Sequence, residues 1–327
     1  MNKKEFKNPE GDYQTKQDGD TALSFSSIRW VLSRIFKSPY KIGVDLPHDH
    51  MLSKSKAIAG LNNNKDVNSI TWLGHASFLF RVGGITILTD PLLFGTPATS
   101  ILRTIKRLPN PLNLYIFPNI DVLLISHEHY DHIHNPSLKS LKNKSNILPI
   151  TPLGVSNKIR KHGFKTSIEL NWHENYQINN KVTITAVPAV HYSNFSNSTL
   201  WAGFIISFKD ISGTEKKIYF GGDTGYVSFV KKEIAPYGPF DVACIGVGAF
   251  FLPYKSRAPY VHTSPEQAID MAKEINARKI IGMHWGTMRM ADENPNELYP
   301  RMKKHVQEID YKGEVLMLRI GETIPLV

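Results

Sequence analysis

The sequence is nearly devoid of cysteine: Cys244 is the only one in 327 residues. A single thiol closes no internal disulfide, which excludes a disulfide-stapled secreted scaffold and fits a reducing compartment. Its place in the apolar run Asp241 to Gly246 predicts a buried strand side chain rather than a reactive one. No apolar stretch approaches the ~20 residues needed to span a bilayer. The longest, Val242 to Pro253, contains two glycines and ends in proline. The first twenty residues, MNKKEFKNPEGDYQTKQDGD, are polar where a secretory signal has an apolar core. The expected location is therefore the cytoplasm. Internal repeats and low-complexity tracts are also lacking. Acidic residues are outnumbered, 29 Asp and Glu against 39 Lys and Arg, giving a net charge of +10 and a pI near 9.4. That balance favours anionic partners: nucleic acid, phosphate esters or an acidic membrane surface.

The remaining composition, 41% hydrophobic and 21% charged, is that of an ordinary folded protein. Residues 1–20 read as a flexible or extended leader. Ile28, Val31, Leu32, Ile35 and Phe36 then recur at helical spacing, with Arg29, Arg34 and Lys37 on other faces. This predicts an amphipathic helix stopped near Pro39, packed on the main domain or laid on a membrane surface. Residues 38–66 read as a connecting loop. The expected organisation is thus an N-terminal extension, 1–66, followed by a catalytic domain, 67–327. Within that domain strands are expected at 69–73, 77–82, 85–89, 122–126, 182–187, 203–208, 217–221 and 242–247, and helices at 136–142, 153–162, 264–275 and 297–309. Gly83-Gly84 predicts a two-residue hairpin turn, and Ser264-Pro265-Glu266-Gln267 a capped helix start.

The chemistry concentrates where the apolar run Asp121 to Ser126 ends and His127-Glu-His129-Tyr-Asp131-His132 begins. Four metal-ligand side chains follow a buried strand within six residues, a pattern that packing alone does not explain. Imidazoles at i and i+2 of an extended segment share a side and reach one ion, while Asp131 and His132 face a second. Two ions need more ligands than one loop offers. His191, Asp223 and His284 each stand just beyond another apolar strand, and a carboxylate can bridge two ions. The inferred set is His127, His129 and His191 on one metal, Asp131, His132 and His284 on the other, and Asp223 between. His48, His50, His134, His162, His173 and His305 lack such a context and are read as structural or solvated.

The motif His127 to His132 resembles the HxHxDH marker of the metallo-β-lactamase superfamily. Further blocks, Thr71 to Ala76, Leu88 to Pro91, Thr151 to Gly154, Glu169 to Trp172, Gly222 to Tyr226 and His284 to Thr287, are similar to its N-acyl-phosphatidylethanolamine phospholipase D branch. The resemblance runs from about residue 67 to 325. It implies an α/β fold, a four-layer αββα sandwich, with a dizinc site at one edge of two sheets on the same seven positions; manganese or iron would suit the same donors. It also implies a zinc-dependent hydrolase that cleaves a phosphodiester to phosphatidate and N-acylethanolamine. His262, in Tyr260-Val-His-Thr-Ser-Pro, aligns with a family histidine beside the metals, and with Asp131 it is the expected catalytic residue. The segment between His191 and Trp201 and the loop 250–260 depart from the branch. The alternatives are therefore a metal-dependent hydrolase of another ester, a lactone or a small phosphorylated metabolite, and a non-catalytic scaffold of the same fold.

From Ile133 to Ile168 the chain carries seven basic residues and no carboxylate. They read as a solvated face or, facing the cleft, as an attractor of anionic headgroups. The expected partners are an anionic phospholipid or other phosphodiester, the inner face of the membrane as a peripheral contact, and a second copy of the chain, a homodimer being implied by the resemblance. Nucleic acid is not expected, because the basic stretch lacks interleaved aromatics.

Overall fold

A computed structural model describes residues 5–9, 40–95, 107–193, 197–251 and 261–326. The helix expected over 28–37 lies outside the described residues, as does most of the loop 250–260. Two seven-stranded sheets dominate. The first has the order β14-β1-β2-β3-β4-β5-β6, from β1 (Ser69–Gly74), β2 (Ser77–Val82), β3 (Ile85–Thr89), β4 (Val122–Leu124), β5 (Leu148–Pro152), β6 (Ile168–Leu170) and β14 (Thr323–Pro325). The second has the order β13-β12-β11-β10-β9-β8-β7, from β7 (Asn175–Gln177), β8 (Val182–Val187), β9 (Gly203–Lys209), β10 (Glu215–Phe220), β11 (Val242–Gly246), β12 (Lys279–Met283) and β13 (Glu314–Leu316).

The inner strands of the first sheet are buried on both faces, and their side chains divide by parity as the pleat requires. Ile70, Trp72, Phe78, Phe80, Ile87 and Leu124 join the core between the sheets. Leu73, Leu79, Leu88 and Leu123 point the other way, into a second apolar layer. Helices cover that outer face: α1 (Lys54–Asn63), α2 (Asn135–Ser140) and α3 (Ser156–Ile159). On the second sheet α4 (Pro265–Glu274) and α5 (Pro295–Ile309) do the same, with Ala268, Ile269, Ala272, Leu298 and Met302 buried in the core. This is the αββα sandwich. Cys244 is fully buried in β11, and burial raises its thiol pKa.

Gly83 and Gly84 turn between β2 and β3 at φ of 57° and 84°, the left-handed pair that a two-residue hairpin demands. Ser264 and Gln267 form a reciprocal capping box at the start of α4. One expectation fails. Residues 54–63, read as part of a connecting loop, form α1, capped by Ser53, whose side chain accepts from the Lys56 amide. Only Ala57 and Leu61 of this helix are buried, so two apolar contacts against the outer layer hold a helix that its own polar sequence does not announce. The helix expected over 153–162 is also shorter, Ser156–Ile159 followed by a tight turn at Arg160–His162.

Strand direction places the chemistry. β1 and β3 both run antiparallel to β2, and β4 is parallel to β3. β8 and β10 both run antiparallel to β9, and β11 and β12 continue parallel to β10. His75 follows β1, Asp90 follows β3, residues 126–132 follow β4, His191 follows β8, Asp223 follows β10 and His284 follows β12. Within each sheet these strands share one direction, so all the chemistry-bearing residues leave at carboxyl ends, where α/β folds build their sites.

Candidate metal centre

The segment after β4 is anchored before it reaches its histidines. The Ser126 amide donates to Asp90 Oδ1 at 2.8 Å, and its hydroxyl donates to Asp90 Oδ2 at 2.6 Å. Gly222, at φ +56°, brings the β10 loop against this point; a Cβ there would sit 2.7 Å from that of Ser126. The turn then closes through the amides of His132 and Ile133, which donate to the His129 carbonyl.

The ring nitrogens converge in two groups. His127 Nε2 and His191 Nε2 lie 2.9 and 3.0 Å from His129 Nδ1. In the second group Asp131 Oδ2 is 3.6 Å from His132 Nε2 and 3.7 Å from His284 Nε2. Asp223 reaches both: Oδ2 is 3.1 Å from His132 Nε2, 3.8 Å from His127 Nε2 and 3.9 Å from His191 Nε2, while Oδ1 is 3.2 Å from His284 Nε2. The seven residues singled out from the sequence therefore stand together, in the groups His127/His129/His191 and Asp131/His132/His284, with Asp223 touching each. His262 is brought to the same place, its Nδ1 3.9 Å from Asp223 Oδ2 and its ring stacked on His284 at 5.1 Å. His50, His134, His162, His173 and His305 bond to partners of their own and join no ligand group among the described residues.

Two residues belong here that the reading of individual residues passed over. His75 Nε2 donates to Asp131 Oδ2 at 2.9 Å and fixes that carboxylate. Asp90 Oδ2 accepts from His132 Nδ1 at 2.7 Å, turning Nε2 toward Asp223. Carboxylate–histidine pairs of this sort orient metal ligands. Asp90 carried the same signal that exposed Asp223 and His284, an ionisable residue just past an apolar strand. His75, between a glycine and an alanine in the turn from β1 to β2, had only its block resemblance.

The electrostatics define what the centre lacks. Burial would raise Asp131 and Asp223, but His132 and the hydrogen bonds of neighbouring histidines hold both carboxyls well below their usual range. Burial lowers His284 while the charge of Asp223 and bonds to both carboxylates push it up to about 9. His132 moves the same way. Burial and neighbouring imidazoles drive His127 and His191 well below 6.5. Two clustered carboxylates thus demand positive charge on one side, and neutral imidazoles present lone pairs on the other. His132 Nε2, His284 Nε2 and Asp223 Oδ1 are buried, and the two rings meet Asp223 only as close ionic contacts of 3.1 and 3.2 Å that lack hydrogen-bond geometry, a costly condition for polar atoms. Three imidazole nitrogens about 3 Å apart share at most one proton per contact. Divalent cations at the two foci would satisfy all these atoms together, so the residues fit a dinuclear metal centre.

A two-sheet sandwich carrying this cluster at its strand ends defines a class of protein, and comparison with known families agrees. Residues 86–285 match the model of the beta-lactamase superfamily domain. The chain belongs to that superfamily and has its two-sheet αββα fold. It is 33% identical over 235 residues, 67% of this chain and 64% of the other, to N-acyl-phosphatidylethanolamine-hydrolyzing phospholipase D 1 of Caenorhabditis elegans. It is 28% identical over 256 residues, 77% of this chain and 98% of the other, to a UPF0173 metal-dependent hydrolase of Caldivirga maquilingensis. A solved metallo hydrolase from Ignicoccus hospitalis covers 79% of this chain with 97% of its own, at 21% identity and a TM-score of 0.56, and shares the fold. The chain spans 60% to 64% of the length of several curated relatives it matches.

Proposed function

We propose that the chain is a two-metal phosphodiesterase, zinc-dependent, acting on N-acyl-phosphatidylethanolamine-type phospholipid to give phosphatidate and N-acylethanolamine. The observation that carries the reading is the pair of ligand groups joined through Asp223, an arrangement suited to one reacting centre held by two ions. Two bound divalent ions supply Lewis acidity and a nucleophile from water at neutral pH. The protein's part is positional. Asp131 is held by the His75 ring, His132 by Asp90, and the His127 ring by the Ser126 hydroxyl at 2.9 Å. His262, its pKa lowered to about 4 chiefly by burial, is a neutral ring at pH 7, offering one N–H and one lone pair beside Asp223.

The lipid substrate draws support from the worm relative's name and from the basic face. Lys139, Lys142, Lys158, Arg160, Lys161 and Lys165 are exposed around the outer helices. Burial, and then the charges of Lys161, Lys144 and Lys139, lower the pKa of His162. On this face Lys158 Nζ pairs at 2.9 Å with Glu128, which stands between His127 and His129 in the sequence. Tyr115 is 82% exposed, with Lys142 Nζ 3.8 Å over its ring. Cations with an exposed aromatic suit the anionic surface of a membrane, with the protein bound peripherally. No helix among the described residues is long and apolar enough to cross one.

The test is mass spectrometry of products after incubating the zinc-loaded protein with N-acyl-phosphatidylethanolamine vesicles, with Asp131→Asn as the blank. Both products are expected from the wild type, and a fall of about a thousandfold or more in the variant. A wild type that holds two metals, leaves the vesicles intact and turns over a lactone or a soluble phosphodiester would refute the lipid reading and retain the hydrolase.

A further inference from the structure

We infer that the N-terminal segment is part of the metal centre, with Asn8 acting as the positioning residue for His191. The inference rests on reading the cluster as a metal site and concerns how one of its histidines is held.

Ligating histidines are ordinarily fixed through the ring nitrogen that does not face the metal. Two members of the cluster follow that rule. His127 bonds through Nδ1 to the Ser126 hydroxyl, and His132 through Nδ1 to Asp90. His191 and His284 do not: the Nδ1 of each is buried and has no hydrogen-bond partner among the described residues. Both are held instead by their backbone amides. The His284 amide donates to the His75 carbonyl at 3.1 Å. The His191 amide donates to Asn8 Oδ1 at 2.9 Å, across 183 positions of sequence.

The rest of the contact makes this more than a stray bond. On its inner side the loop is pinned one residue earlier, where the Val190 amide donates to Thr224 Oγ1 at 2.9 Å, next to Asp223. On its outer side the Phe6 amide donates to the Asn197 carbonyl at 2.9 Å, and Asn197 Oδ1 accepts from the Ser193 amide at 3.1 Å. Glu5 and Lys7 are exposed while Phe6 and Asn8 are partly buried, the alternation of a segment with one face laid on a surface. His191 is 1% exposed, so without Asn8 its amide would be a buried donor with nothing to meet it. The loop would shift to satisfy that amide, moving Nε2 away from His127 and His129.

The experiment compares full-length wild type, Asn8→Leu, which keeps the bulk and removes the acceptor, and Asn8→Asp, which keeps an acceptor. Each is loaded with zinc and titrated with a competing chelator, and retained metal is counted by mass spectrometry. Wild type is expected to hold two ions. Asn8→Leu is expected to lose one of the two at about tenfold lower chelator concentration, within the range seen when groups supporting a ligand are removed. Asn8→Asp is expected to restore wild-type retention. Equal retention by wild type and Asn8→Leu, with two ions in each, overturns the role of Asn8 and leaves the centre standing. An Asn8→Asp variant as weak as Asn8→Leu overturns it too. A wild type without bound metal overturns both. Should Asn8→Leu not fold, Asn8→Gly removes the acceptor without adding bulk and gives the same comparison.

Discussion

His50 provides a quantitative check on how the loop carrying His284 is braced. Its ring is 2% exposed and donates from Nε2 to the Gly286 carbonyl at 2.9 Å. It meets Trp285 and Trp72 nearly edge-on, at centroid distances of 4.5 and 5.9 Å. Burial outweighs the opposing influence of Gly286 and Asp49 and lowers its pKa from 6.5 to about 4. The unfolded chain therefore takes up a proton as pH falls through about 6.5, whereas the folded chain does so only near 4. The stabilisation is complete above about pH 6.5, declines as pH falls toward 4, and is flat below. At about 1.36 kcal/mol per unit, lowering pH from 7.5 to 4.5 costs about 2.5 kcal/mol through this residue alone. His50→Gln can keep a donor for Gly286 and cannot titrate. Urea unfolding of both proteins at pH 7.5, 6.0 and 4.5 reads the difference, in which the other histidines and any bound metal cancel. The variant is expected to be somewhat less stable at pH 7.5 and to lose about 2.5 kcal/mol less than wild type over the interval. Parallel losses in the two proteins would refute the assignment of His50 as a neutral, buried brace.

Two further outcomes follow from local geometry. Gly222→Ala combines a positive φ with a Cβ 2.7 Å from that of Ser126, so it should destabilise by about 1–3 kcal/mol and, by moving Ser126 and Asp90, depress hydrolysis more than stability; unchanged kcat in a folded variant would count against the role of the Ser126–Asp90 anchor. Reversing Lys139, Lys142 and Lys161 together to glutamate should weaken binding to vesicles rich in phosphatidylglycerol at low salt, read by co-sedimentation, by about a hundredfold or more, at about 1 kcal/mol per basic residue near the surface, while hydrolysis of a small soluble phosphodiester stays at the wild-type rate. Equal sedimentation would remove the basic face from the proposal.

The sequence disclosed those parts of the fold whose signal is local. Strands such as Ser77–Val82 and Val182–Val187 are β-branched and aromatic runs closed by turn residues. The candidate ligand residues were legible because they follow the ends of apolar strands, and such strand ends are brought to one edge by the topology. Hidden parts were those fixed by partners remote in sequence. α1 owes its helical form to Ala57 and Leu61 meeting the outer layer. Short strands such as Asn175–Gln177 and Glu314–Leu316 are edge strands of three residues each, too short to show a period. His75 acquires meaning only through Asp131, 56 residues away, and Asn8 only through His191. The leader expected at residues 1–20 gave no hint that its residues 5–9 lie against the centre.

The same distinction explains why the chemistry is better determined than the substrate. The residues of the cluster follow strand ends or the loops that leave them, and their places are set by sheet hydrogen bonds and by contacts with Asp90, Ser126, Thr224 and His75. A displaced backbone there would leave buried carboxylates and imidazoles without partners, at several kcal/mol each. Residues that meet a substrate beyond the reacting group carry no such penalty when they change. On the proposed reading such residues belong to the segments between His191 and Trp201 and over 250–260, which lie outside the blocks similar to the phospholipase branch. A fold can therefore hold its metal geometry while these loops exchange one ester for another. For this reason vesicle hydrolysis and metal retention are separate measurements of separate parts of the molecule, and failure of the first would not bear on the second.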